Sequence, residues 1–222
     1  QAKLSGAEFY RVDIRSEHTA DHFADALYHA ERPFLNAHSV AKYLLSRAVR
    51  DSGTKVVLTG EGSDEIFAGY PHFRRDMVLY GDVGLSPGAR LGLLAELEAS
   101  NRVSTGILMP QRSVAIESVR SVLGFVPSTL EVWAEMGKSL LAVANDDFGR
   151  AFKERDTFRL LLNHLDVERQ LAGRDPLNQS LYVWSKTFLP NYILSNLGDR
   201  MEMAHSVEGR LPFLDHHVAA EA

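Results

Sequence analysis

Acidic residues at Glu61, Asp64 and Glu65 stand within the stretch Lys55-Val-Val-Leu-Thr-Gly-Glu-Gly-Ser-Asp-Glu-Ile-Phe-Ala-Gly-Tyr70. Their spacing suits a ligand-facing loop, one that could meet a phosphate. Val56, Val57 and Leu58 form a short apolar run, as expected of a strand buried on both faces of a parallel sheet. The run breaks at Gly60-Glu61-Gly62, where two glycines let the backbone turn sharply and approach a ligand closely. Ser63 or Asp64 can then cap a helix that starts near Glu65. This arrangement puts the acids at the carboxyl end of a strand, where open α/β sheets bind their ligands. An ordinary β-turn-α connection with solvated acids has the same spacing.

The other stretch with chemical content is Leu189-Pro-Asn-Tyr-Ile-Leu-Ser-Asn-Leu-Gly-Asp-Arg-Met-Glu-Met-Ala-His-Ser-Val-Glu-Gly-Arg-Leu-Pro-Phe-Leu-Asp215. It combines an apolar helix, the pair Asp199-Arg200, and Glu208 two residues before Arg210. Acids and arginines this close to apolar residues pair with each other, because a half-buried unpaired charge is expensive. A salt-bridged structural corner and a ligand-contacting segment both fit.

The elements that must position these residues follow in order. Glu8 to Ile14 alternates, with Tyr10, Val12 and Ile14 on one side, and predicts a strand. Ala20, Phe23, Leu27 and Ala30 predict a helix ended by Pro33, and a second helix spans about Asn36 to Asp51 with Gly53 as its stop. Strand, two helices and strand is the wiring of a parallel α/β sheet. No convincing strand is predicted after Tyr70. Helices are expected around Leu91-Leu97 after the Gly81-Gly84 loop, from a capping box at Ser128-Glu131, and around Phe158-Leu165 after a polar break at Asn145-Gly149. Two more are expected from Pro176 and from Pro190 to Leu197. The predicted organisation is a partial nucleotide-binding α/β region over 1–80 and a helical region over 81–222, with 189–215 returning to the active site.

Bulk properties narrow the classes. With 222 residues the chain can bury a full core. Its formal charge of -5, from 29 acidic and 24 basic residues, leaves no electrostatic footprint for nucleic acid. No apolar run approaches the roughly 18 residues that span a bilayer. The start, Gln1-Ala-Lys-Leu-Ser-Gly, has no signal-peptide core and no initiator Met, which fits a piece of a longer protein. Cysteine is absent, which fits a cytoplasmic setting.

Val57-Leu-Thr-Gly-Glu-Gly-Ser-Asp-Glu-Ile-Phe-Ala-Gly-Tyr-Pro71 and Gly198-Asp-Arg-Met-Glu-Met-Ala-His-Ser-Val-Glu-Gly-Arg-Leu-Pro-Phe-Leu-Asp215 together resemble the synthetase domain of glutamine-hydrolysing asparagine synthetases. The resemblance implies a parallel adenine-nucleotide α-hydrolase-like sheet with a mostly helical second half. It implies an ATP-dependent ligase in which an aspartate carboxylate is adenylated and ammonia, released from glutamine by an N-terminal glutaminase domain, displaces AMP. Asp64 matches the family's Mg²⁺-binding aspartate, and Mg²⁺ takes one or two carboxylates plus phosphate oxygens. Thr59, Gly60, Gly62 and Ser63 match the segment that lines the nucleotide. Glu61 matches an acid that faces the amine and the adenylate, where it would orient ammonia or accept a proton. Glu65, Asp199, Arg200, Glu208 and Arg210 fall in supporting or substrate-side places. A homodimer is compatible with the resemblance; nucleic-acid and membrane partners are not expected.

Departures from the pattern matter too. The family's Ser-Gly-Gly-x-Asp-Ser pyrophosphate loop is absent, and its lysine beyond Pro-Phe-Leu-Asp would fall after Ala222. Asn191 stands where many relatives carry an acid. The chain by itself is therefore expected not to turn over. β-Lactam-forming relatives tend to replace the glutamate that is present here as Glu61, which favours asparagine; amidation or cyclisation of another acid, or a non-catalytic scaffold on the same fold, are the alternatives. His18 and His22, at i and i+4, have zinc-compatible spacing without an evident third ligand. His216-His217 reads as a surface pair, His205 as a structural or substrate-side histidine, and Arg74-Arg75 as a solvated helix face, with a phosphate-facing pair as the alternative.

Overall fold

The computed structural model describes residues 2–34, 36–82, 84–152 and 154–222; Val83, in the expected Gly81-Gly84 loop, lies outside them. The chain begins with α1 (Ala2–Ser5), α2 (Ser16–Asp21), α3 (Phe23–Ala30), α4 (His38–Asp51) and β1 (Val56–Leu58). It continues through α5 (Ser63–Ile66), α6 (Pro71–Tyr80), α7 (Pro87–Ser100), α8 (Glu117–Leu123) and α9 (Ser128–Leu141). Then come α10 (Asp146–Phe152), α11 (Thr157–Leu162) and α12 (Pro176–Lys186). A wide, π-type helix (Leu189–Asp199) runs into α13 (Arg200–Met203), followed by β2 (Glu208–Arg210) and α14 (His216–Glu221). These form two compact units, one from the residues through Gly62 with Phe188–Glu221, the other from Ser63–Thr187.

The first unit is built on a parallel pair. β1 and β2 align Val56 with Glu208, Val57 with Gly209 and Leu58 with Arg210. The strand at β2 was not expected, since Glu208-Gly209-Arg210 has no apolar residue to signal it. Nor is β1 buried on both faces. Among the described residues its ladder partner is β2, and Leu58 stays 74% exposed. The strand predicted at Glu8–Ile14 does not form: no described strand pairs with it, and Phe9 and Tyr10 are exposed. Alternation without a partner edge does not make a strand. The helices fare better. α4 ends as predicted, with Gly53 at φ +83 and its N–H donating to the Arg50 carbonyl at 3.0 Å. Ala26 and Ala30 of α3, Val40 and Leu44 of α4 and Met201 of α13 close the core of this unit.

The second unit is helical around Val119, Leu123, Leu130, Leu162 and Val183. α12 opens as the sequence predicts, with Pro176 in its first turn and Asp175 accepting from the Asn178 N–H at 3.1 Å. α7 forms under its Ser86 cap, though none of its described residues is buried. The polar break at Asn145–Gly149 contains the start of α10, and α11 stops at Leu162, leaving Leu165 to pack on the core from beyond the helix.

α9 starts at Ser128 as expected, but its first turn is not a capping box. The Ser128 N–H donates to Asp76 Oδ1 at 2.9 Å, and the Ser128 hydroxyl donates to the same carboxylate. Ser180 donates to Asp76 Oδ2 at 2.6 Å. Glu131, buried in the same turn, accepts from Arg75 at 2.7 Å, from the Ser113 hydroxyl at 2.6 Å and from the Val114 N–H at 3.1 Å. Arg75 is thus a structural cation, not part of a solvated face. Side chains that could have capped a helix are spent satisfying a buried polar network, where each lost partner strands a desolvated group.

Burial pushes the Asp76 carboxyl up to about 6 despite its Ser128 and Ser180 donors. The folded state therefore keeps a proton that the unfolded chain has released above its ordinary 3.8. Stability is predicted to fall as pH rises from about 4 to about 6. Asp76→Asn should flatten that part of the profile, and Asp76→Ala, which orphans several donors, should cost about 2–4 kcal/mol. Urea unfolding across that pH range checks both.

Candidate active site

In the first unit the Thr59 N–H donates to the Arg210 carbonyl at 2.9 Å, extending the ladder by one bond. The chain then turns through Gly60-Glu61-Gly62. Gly62 has φ +96, and a Cβ there would lie 2.4 Å from Leu214 Cδ2 and 2.5 Å from Leu214 Cγ. The turn needs glycine twice over, for its backbone angle and for the close approach of Leu214 from the Pro-Phe-Leu-Asp segment.

Beside this turn lies a cavity of about 350 Å³. Thr59, Gly60 and Glu61 line it from the end of β1; Val57, Leu197 and Val207 give it apolar wall. Its other charged side chains are Lys42 from α4 and Glu202 from α13. The Lys42 ammonium donates to Glu61 Oε1, with the two side chains 34% and 14% exposed. Burial opposes ionisation of Glu61, but the Lys42 ammonium outweighs it and holds the carboxyl below its ordinary range. Glu202 is shifted the other way, pushed up by burial and by the charge of Glu61, with Lys42 only partly compensating. Two carboxylates and one ammonium thus share one cavity with opposite tendencies to hold a proton.

Neither Lys42 nor Glu202 was singled out from sequence. A lysine on an amphipathic helix reads as solvated, and Glu202 sits inside a motif whose acids tend to pair with arginines. The one available signal is that Lys42 lies on α4 near the buried stripe of Val40 and Leu44.

The remaining predicted residues of the second motif lie elsewhere on this unit. Arg200 pairs with Glu31, not with its neighbour Asp199, which is exposed and adds to the upward push on Glu202. Glu208 and Arg210 pair with each other at 2.7 Å on the exposed face of β2. His205 packs against Tyr43 in a tilted arrangement, ring centroids 4.4 Å apart. His18 accepts from the Arg15 N–H, and His22 faces Asp25 and Arg47, so the two histidines do not assemble a metal site among the described residues. Asp215, His216 and His217 do bring ligand atoms within 4.8 Å of one another, all exposed.

Ser63, Asp64 and Glu65 open α5 in the second unit. The helix begins two residues earlier than expected, at Ser63 itself. Glu65 is buried and accepts from the Tyr70 hydroxyl at 3.0 Å and the Trp184 indole N–H at 3.2 Å, which anchors α5 to α12. Asp64 is exposed, and no described residue forms an ion pair with it. Its Oδ1 occupies space that a Cβ on Gly69 would need, 2.0 Å away. An exposed, unpaired carboxylate fixed against a glycine backbone is a hard oxygen donor that fits Mg²⁺.

The strand before the Gly60-Gly62 turn is thus joined by β pairing to the distant Glu208–Arg210 segment. The model described as Asparagine synthase matches residues 2–222, and the chain belongs to that family. This bears out the resemblance read from the two motifs. Among curated relatives, amidase chyE of Penicillium rubens is 32% identical over 225 residues, covering 98% of this chain and 32% of that protein. Amidase chry2 of Gibberella zeae is 28% identical over 233 residues, again 98% of this chain and 32% of the relative. Asparagine synthetase B (glutamine-hydrolyzing) of Escherichia coli is 35% identical over 72 residues, 32% of this chain and 13% of that protein. The chain therefore spans about a third of the length of the two amidases. No solved structure matches. Among the described residues no helix is long and apolar enough to cross a membrane.

Gly62→Ala is predicted to cost about 2–4 kcal/mol, from the left-handed backbone angle and the collision with Leu214. Adding Leu214→Ala should remove the collision but not the backbone strain. A double-mutant cycle followed by chemical denaturation tests this, and additive losses would contradict it.

Proposed function

We propose that this chain forms part of the carboxylate-activating half of an ATP-dependent amide ligase. The observation that carries the reading is the placement of Thr59, Gly60 and Glu61 at the end of β1, lining a cavity in a chain that matches the asparagine synthase family throughout. An acid's carboxylate oxygen attacks the α-phosphorus of ATP and pyrophosphate leaves. Ammonia then forms a bond to the acyl carbon as the bond to AMP breaks. Thr59, Gly60, Gly62 and Ser63 line the nucleotide, where glycines allow close backbone approach. Asp64 would hold Mg²⁺, which would spread the polyphosphate charge. Glu61 faces the incoming nitrogen. Glu65 fixes α5 through Tyr70 and Trp184. Asp199 adds its charge to the push on Glu202, while Arg200, Glu208 and Arg210 act outside the cavity through their own ion pairs. In the parent protein the ammonia comes from glutamine through an N-terminal glutaminase domain.

Aspartate is one acceptor consistent with this reading. The matches favour a second one: both amidases align over 98% of the chain, whereas the Escherichia coli asparagine synthetase aligns over 32%. That supports a ligase amidating a different acid on the same scaffold.

The test is to incubate the full-length protein with ATP, Mg²⁺, an ammonium salt and a panel of acids that includes aspartate. AMP and pyrophosphate should appear in step with an amide. Asp64→Asn and Glu61→Gln should each lower that yield about 100-fold or more. Amide hydrolysis that needs no ATP and survives Asp64→Asn would overturn the reading.

A further inference from the structure

Lys42 and Glu202 are charged side chains of the cavity that the proposed reaction does not yet use. Lys42 projects from α4, outside both long motifs, and reaches the Glu61 carboxylate directly. An ion pair with a third of its lysine exposed contributes little to holding a fold together. What it does fix is a carboxylate. Glu61 is otherwise the mobile end of a flexible side chain on a glycine-flanked turn, and the bond to Lys42 gives it a single direction and a settled charge.

Resting on the ligase reading above, we infer that Lys42 is a positioning residue for the amide-forming step. It pins the Glu61 carboxylate in the cavity as a hydrogen-bond acceptor for the attacking nitrogen and leaves Glu202, on the same cavity wall, to receive the proton. The roles divide by environment. A carboxylate neutralised by an adjacent ammonium accepts N–H bonds well and takes up a proton poorly. Glu202 is half-buried in the cavity that Leu197 and Val207 also line, with the negative charges of Glu61 and Asp199 nearby, and is the better proton acceptor. The charged groups facing the pair are Lys42 from α4, Glu61 from the β1 turn, Asp199 from the π-type helix and Glu202 from α13; the Thr59 hydroxyl and the Gly209 N–H are the polar ones. In the step itself the nitrogen lone pair forms the C–N bond. The acyl C–O bond breaks with its electrons leaving on the AMP phosphate, and the proton lost by nitrogen passes to Glu202.

The experiment uses the full-length protein with Lys42→Met, Lys42→Arg and Glu202→Gln. Carboxyl-¹³C NMR, with Glu61 assigned through Glu61→Gln, follows its titration without any need for turnover. In Lys42→Met the Glu61 midpoint should move up, since the favourable charge is gone; Lys42→Arg should leave it low. Ammonia-dependent amide formation, begun with aspartate as probe and repeated with whichever acid the wild type accepts, should fall about tenfold or more in Lys42→Met. Its acidic limb should shift to higher pH, because Glu61 must be ionised. ATP–pyrophosphate exchange should stay within about twofold, since activation precedes the step concerned. Glu202→Gln should show the same split between the two half-reactions, and Lys42→Arg should restore amide formation. A Glu61 midpoint unchanged in Lys42→Met, or equal losses in both half-reactions with an unmoved pH profile, would overturn the inference. A wild type with no ATP-dependent activity would instead overturn the ligase reading, with the titration still deciding whether Lys42 controls Glu61.

Discussion

The parallel ladder between β1 and β2 is the constraint on which the first unit depends. Three residue pairs, extended by the bonds from Glu208 N–H to the Lys55 carbonyl and from Thr59 N–H to the Arg210 carbonyl, join segments far apart in sequence. So short a ladder is not stable by itself. It is backed by α13 and the π-type helix, which contact β2, and α13 in turn carries Met201 into the core with Val40 and Leu44. Once the ladder is in register, the rest follows. The Gly60-Gly62 turn meets Leu214, and Glu61 and Glu202 come to line one cavity. A slip of one residue would reverse the faces of β2 and separate the two carboxylates.

Charges are handled differently in the two units, for a physical reason. In the second unit Asp76 and Glu131 are buried and each accepts several hydrogen bonds, which makes the network costly to break and suited to specifying helix packing. In the first unit the Lys42–Glu61 pair is left partly open to solvent and next to a second acid whose proton affinity is raised. An arrangement of unequal carboxylates is poor architecture and serviceable chemistry, since it separates the group that stays ionised from the group that can be protonated.

Much of this was readable from the chain. The proline at the start of α12 and the glycine stop at Gly53 encode local backbone preferences, and those act wherever the helix packs. The two long motifs identified the family. β2 was not legible because its residues, Glu208, Gly209 and Arg210, are chosen for pairing and surface charge, with no apolar face to display. Glu8–Ile14 failed in the opposite sense, showing alternation but meeting no described partner strand. Ser128-Thr-Leu-Glu131 has the spacing of a capping box, yet tertiary contacts with Asp76 and Arg75 claimed the side chains of Ser128 and Glu131. Lys42 was invisible for a related reason: its role depends on what stands across from it, and a local pattern does not contain that.

The central claim, that the protein activates a carboxylic acid with ATP before forming an amide, is tested most directly by oxygen tracing. The full-length protein would be supplied with ATP, Mg²⁺, an ammonium salt and an acceptor acid labelled with ¹⁸O in its carboxylate, and the phosphorus-31 spectrum of the products recorded. Adenylation transfers one carboxylate oxygen to the phosphate of AMP, so the predicted result is an isotope-shifted AMP signal with unlabelled pyrophosphate. AMP without label, or amide formed with no AMP at all, would contradict the account.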